Sequence, residues 1–91
     1  MAALSAHEID SRIKNLAGWK VESGELARTF QFPDFRASLR FVNSVGELAE
    51  KAGHHPDIDI RYNKVRLALV THDAGGITAK DFELAESINR Q

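Results

Sequence analysis

Between Gly53 and Asp73 the chain reads GHHPDIDIRYNKVRLALVTHD, a pattern that leaves one reasonable local structure. From Asp57 to Tyr62 polar and apolar residues alternate, with Ile58, Ile60 and Tyr62 on one face. From Val65 to Thr71 the run is β-branched and aliphatic, with Val65, Leu67 and Leu69 on one face. Asn63-Lys64 is a short polar break, so the spacing predicts two antiparallel strands joined by a two-residue turn. In that register Tyr62 faces Val65, Ile60 faces Leu67 and Ile58 faces Leu69. Carried outward, Pro56 comes opposite Thr71 and His55 opposite His72. Opposed residues have Cβ atoms only ~4.5–5.5 Å apart, so the HHP and THD segments meet at the open end of the hairpin. His54, His55 and His72, three of the four histidines, gather there with the Asp73 carboxylate.

The remaining elements follow from caps and periodicity. Ser5 and Glu8 have capping-box spacing, and Leu4 and Ile9 the spacing of a hydrophobic staple. A first helix therefore begins after Ser5, carries Ile9, Ile13 and Leu16 as its stripe and stops at Gly18. Met1 to Ala3 precede it as a frayed end. Trp19–Val21 and Leu26–Phe32, separated by Glu22-Ser23-Gly24-Glu25, form a first hairpin. Leu26, Phe30 and Phe32 share a face there, and Arg28 interrupts it. Pro33 ends the strand, Asp34 caps a long helix from Phe35 to about Ala52, and Gly53 closes it in the left-handed conformation. The expected inner face of that helix is Phe35, Leu39, Val42, Val45, Leu48, Ala49 and Ala52, with Ser38 a polar gap beside it and Phe41 adding bulk. Gly46 costs up to ~1 kcal/mol against alanine, and close packing on the sheet is the expected reason for it. Ala74-Gly75-Gly76 turns the chain. Thr78 caps a last helix, with Asp81 at capping-box spacing and Phe82, Ala85 and Ile88 as the stripe. The order α-β-β-α-β-β-α predicts an α+β fold, a two-layer sandwich with a four-stranded antiparallel sheet and three helices on one face.

At 91 residues, positions 1–91 are expected to form one small domain, and self-association is a reasonable way for it to bury more surface. A net charge of −1 and a pI near 6.4 do not suit a chain dedicated to nucleic acid or to anionic membranes. The lack of cysteine removes disulfides and thiolate metal sites together. No apolar run approaches the ~20 residues of a membrane helix, and no secretory signal opens the chain. These features lead us to expect a cytoplasmic protein.

Convergent imidazoles mark the candidate site, because imidazole exchanges protons near neutrality without strong tuning. Each histidine could instead be a polar side chain at a strand end. His7, in the first helical turn, reads as a solvated surface residue. A zinc site built from His54, His55, His72 and Asp73 is the competing chemical reading. Successive side chains of an extended segment face opposite ways, which works against it. Asp81 reads first as a helix cap, yet a first-turn carboxylate beside an imidazole would also orient the ring. Glu50, one turn before His54, reads from its position as a solvated carboxylate.

Glu50-Lys51-Ala52-Gly53-His54-His55-Pro56, then Tyr62-Asn63-Lys64-Val65, then Thr71-His72-Asp73, with Asp81 nine residues past His72, resemble the pterin-4a-carbinolamine dehydratase family. Gly18-Trp19 and the Phe30-x-Phe32 pair extend the likeness over nearly the whole chain. The resemblance implies a lyase that dehydrates 4a-hydroxytetrahydropterin to quinonoid dihydropterin during tetrahydrobiopterin recycling, with no metal or redox cofactor. It implies His54, His55 and His72 as catalytic histidines and Asp81 as their supporting carboxylate. It further implies Glu50, Pro56, Thr71, Asp73 and Ala74 as substrate contacts, Asp73 and Ala74 replacing the glutamate and cysteine of some members. A homodimer or homotetramer is expected, with a small pterin as ligand and no direct nucleic-acid or membrane partner. The alternative is a non-catalytic dimerisation or transcription cofactor, or a pterin-binding module.

Overall fold

The computed structural model describes residues 2–91; Met1, part of the expected frayed end, lies outside them. Helix α1 spans Ala6–Ile13, strand β1 Lys20–Glu22 and strand β2 Glu25–Gln31. Helix α2 spans Phe35–Ala52, strand β3 Asp57–Arg61, strand β4 Lys64–Leu69 and helix α3 Ala79–Asn89. A 3-10 turn, His72–Ala74, joins β4 to α3. The strands make one antiparallel sheet in the order β1-β2-β4-β3. This is the expected α+β architecture in the expected order.

Local chemistry sets the boundaries of the two longer helices. The Asp34 carboxylate accepts the Ala37 N–H at 2.8 Å and starts α2. Gly53, at φ 62°, ψ 30°, ends it. Thr78 begins α3 inside a capping box closed by Asp81. Leu26 of β2 and Val65, Leu67 and Leu69 of β4 pack against Val45 and Ala49 of α2 and Phe82, Ala85 and Ile88 of α3. Full burial of each large side chain contributes roughly 1.5–3 kcal/mol. The other sheet face is polar: Arg66 on β4 donates to Glu22 on β1 at 3.1 Å across it.

Four expectations need correction. Helix α1 ends at Ile13, and a run of turns carries the chain on to Gly18, with Leu16 buried among them. The hairpin turns at Tyr62-Asn63, so Ile60 pairs with Val65 and Ile58 with Leu67, two residues away from the expected register. Tyr62 takes a left-handed φ of 53° to close the turn, a conformation the sequence pattern did not point to. The inner face of α2 is rotated: Ser38 is fully buried, while Phe35 and Leu39 are 47% and 39% exposed. Ser38 fits inside because its hydroxyl donates to the Asp34 carbonyl at 3.2 Å. Finally, a Cβ at Gly46 would meet nothing within 4 Å, so packing on the sheet does not explain that residue.

Candidate active site

Three backbone features deliver the site. The left-handed Gly53 turns the chain out of α2, and the His54 N–H still bonds back to the Ala49 carbonyl at 3.2 Å. Pro56 then holds His55 extended ahead of β3. Across the sheet, β4 runs into Thr71, which bridges to Gly76 around the 3-10 turn and presents His72 and Asp73. Continued beyond its last pair, the observed β3–β4 register brings His54 level with Thr71.

His54 is the anchored member. Its Nε2 lies 2.5 Å from Asp81 Oδ1, and its side chain is only 12% exposed. Asp81 is completely buried, and its other oxygen, Oδ2, accepts the Thr78 N–H at 2.8 Å and the Thr71 hydroxyl at 2.9 Å. The Thr78 hydroxyl lies 2.8 Å from that of Thr71 and accepts the Lys80 N–H at 3.3 Å. With the Thr71 proton given to Asp81, Thr78 donates to Thr71, and every group in the chain is satisfied. A carboxylate accepts only, so the network assigns the His54 proton to Nε2 and leaves Nδ1 as the free acceptor.

His55 makes the same kind of pair in a different setting. Its Nε2 lies 2.6 Å from Glu50 Oε2, with 64% and 76% of the two side chains exposed. Water screens that contact, and such pairs contribute about 0–1 kcal/mol. His72 and Asp73 are exposed and unpaired among the described residues.

His54, His55 and His72 line one cleft of about 290 Å³, together with Thr71, Asp73 and Lys80. The convergence expected from the hairpin therefore holds although its register does not. Asp81 stands behind His54 and does not line the cleft. Glu50, Pro56 and Ala74 do not line it either; Ala74 serves the turn, its N–H donating to the Thr71 carbonyl at 3.1 Å. Thr71 lines the cleft but commits its hydroxyl to Asp81. Two residues were missed as site candidates. Thr78 was read only as a cap, and Lys80, exposed at the start of α3, carries no spacing signal of its own.

The chain matches the family model described as pterin 4 alpha carbinolamine dehydratase over residues 2–91. A protein of Acidobacterium capsulatum, provisionally named pterin-4-alpha-carbinolamine dehydratase, is 59% identical over 97% of this chain and 96% of its own length. A provisionally named dehydratase of Chloroflexus aurantiacus is 55% identical over 98% and 96%. The crystal structure of a transcriptional coactivator/pterin dehydratase from Brucella melitensis superposes with a TM-score of 0.92 at 31% identity, covering 97% of this chain and 96% of that one. A pterin dehydratase-like protein described as a RuBisCO assembly factor in the alpha-carboxysome shares the fold, at TM-score 0.64 and 19% identity over 79% and 83% of the two chains. The family model and these relatives span essentially the whole sequence, and the chain belongs to the pterin 4 alpha carbinolamine dehydratase family.

Proposed function

We propose that the protein is a cytoplasmic hydro-lyase that dehydrates 4a-hydroxytetrahydropterins to quinonoid dihydropterins in tetrahydrobiopterin recycling. The observation that carries this reading is the cleft lined by three imidazoles, one of them held by a buried carboxylate. Dehydration moves only protons and one C–O bond. A base takes the proton on N5, the nitrogen electrons form the C4a=N5 bond, and the 4a-hydroxyl leaves as water after accepting a proton. No electron is gained or lost overall.

His54 suits the base role. Asp81 fixes its tautomer, turns Nδ1 toward substrate and offers a counter-charge while the ring carries the proton. His72, exposed and unpaired in the same cleft, suits the acid that protonates the leaving hydroxyl. His55 holds the pterin, aided by Asp73 and the edge of Thr71. Positioned acid–base groups give about 10²–10⁴-fold each. The test is dehydration of freshly generated carbinolamine by chelator-treated protein, followed by absorbance. Wild type turns over and His54→Ala and His72→Ala are each slowed at least ~100-fold; wild-type rates in both variants would refute the assignment.

We also propose that the chain works as a dimer or larger homo-oligomer. Phe35, Leu39, Val42 and Gly46 fall on one exposed or half-buried stripe of α2, and Ile58, Ile60 and Tyr62 are exposed at the β3 edge. A stripe of this kind accounts for Gly46, whose missing side chain would let a second helix approach. A monomer mass in solution scattering at micromolar concentration would count against it. A purely non-catalytic cofactor has no use for a buried carboxylate bonded to a cleft imidazole, so the enzymatic reading is preferred.

A further inference from the structure

Arg28, which breaks the apolar alternation of β2, lies directly opposite Leu67 on the helix-covered side of the sheet. Its guanidinium stacks 4.3 Å from the Phe30 ring centroid. Nη1 donates to the Ala17 carbonyl at 3.0 Å and to Asn89 Oδ1 at 2.7 Å. Gly18 makes room for it: a Cβ there would fall 2.5 Å from Arg28 Cζ. Asn89 is held in turn by the Trp19 indole N–H at 2.8 Å, so the guanidinium is fixed from several sides. Yet no carboxylate pairs with it, and Nε and Nη2 donate to nothing among the described residues.

Arg28 lines a cavity of about 420 Å³. Phe30, Phe32 and Phe41 wall it, with ring centroids 4.6 Å and 4.9 Å apart in the two adjacent pairs. Arg40 of α2 also lines it, as do Asn89 and Gln91, and no aspartate or glutamate side chain does. An aromatic wall, an immobilised guanidinium with no carboxylate partner and a second cation fit one chemical class of ligand. We propose that this cavity binds a small organic anion consisting of a carboxylate on a flat apolar body. The carboxylate meets Arg28 and Arg40, and the body lies on the phenylalanine rings. The site is separate from the histidine cleft, because Asp81 and Asn89 sit near opposite ends of α3, about 12 Å apart at 1.5 Å per residue.

The test titrates the full chain with sodium 3-phenylpropanoate, with the uncharged 3-phenylpropan-1-ol and with sodium acetate, following the Trp19 indole and Asn89 amide protons by NMR. The expected result is saturable shifts with 3-phenylpropanoate, at least ~10-fold tighter than with either control. Arg40→Gln, at an exposed position that makes no hydrogen bond, should weaken the carboxylate about 5–10-fold and leave the alcohol unchanged. Arg28→Lys, which keeps the charge but not the fork, should weaken it as well. No saturation below ~10 mM, equal binding of acid and alcohol, or an Arg40→Gln variant that binds like wild type would each overturn the proposal.

Discussion

Helix α1 and helix α3 begin with the same device, Ser5-Ala6-His7-Glu8 in one and Thr78-Ala79-Lys80-Asp81 in the other, and the two end up with different work. Both are closed capping boxes. Glu8 is exposed, and its carboxylate accepts the Ser5 N–H at 3.0 Å. Asp81 accepts the equivalent Thr78 N–H at 2.8 Å, then the Thr71 hydroxyl and the His54 ring, and is wholly buried. One box stabilises a helix end; the other also holds an imidazole that lines the cleft. The local motif does not distinguish them, since the difference lies in what the rest of the fold brings up against the carboxylate.

The widest gap between the two boxes should appear in activity. Asp81→Asn replaces the acceptor facing His54 with an amide and should lower the dehydration rate about 10²–10⁴-fold, whereas Glu8→Gln should leave it unchanged. Equal rates for the two variants in the absorbance assay would erase the distinction. Stability should separate them less. Thr71→Val strips one donor from buried Asp81 and leaves the Thr78 hydroxyl without its acceptor, costing about 1–3 kcal/mol. Ser5→Ala removes an exposed cap and should cost about 0.5–1 kcal/mol. Denaturant midpoints at fixed slope measure both, and the reverse ranking would mean that the buried network is slack.

Acid should produce the smallest effect. The Ser5 backbone hydrogen bond, and then the Ser5 hydroxyl, hold the Glu8 carboxyl below its ordinary 4.5. A lowered folded value means that the contribution is present above pH 4.5 and is lost as pH falls through the folded value. Protection of the amides at the start of α1, measured as exchange relative to the intrinsic rate at each pH, should therefore weaken on acidification below that range, and Glu8→Gln should remove the dependence. Protection that stays flat with pH in wild type would show that the exposed box contributes nothing.

What could be read from sequence was what neighbouring residues settle among themselves. Asp34, Gly53 and Thr78 fixed helix ends because caps are local, and the two capping boxes closed as their spacing predicts. The hairpin register slipped by two because the turn depends on Tyr62 adopting a left-handed φ, for which no Asn-Gly signal stood in the sequence. The face of α2 was misjudged because a serine that caps its own helix backbone can be buried, while phenylalanine and leucine can be left outside. The meeting of the three histidines survived the slip, since both flanking segments leave the same end of the sheet. Lys80 and the dual engagement of Thr71 were out of reach, because they depend on how α3 docks against β4.

The central claim is that Asp81 acts through His54. The most direct measurement is a double-mutant cycle on the dehydration rate, using wild type, Asp81→Asn, His54→Ala and the double variant. If the carboxylate works by orienting that ring, the double variant is no slower than His54→Ala alone. If the two losses multiply, Asp81 acts independently of His54 and the account is wrong.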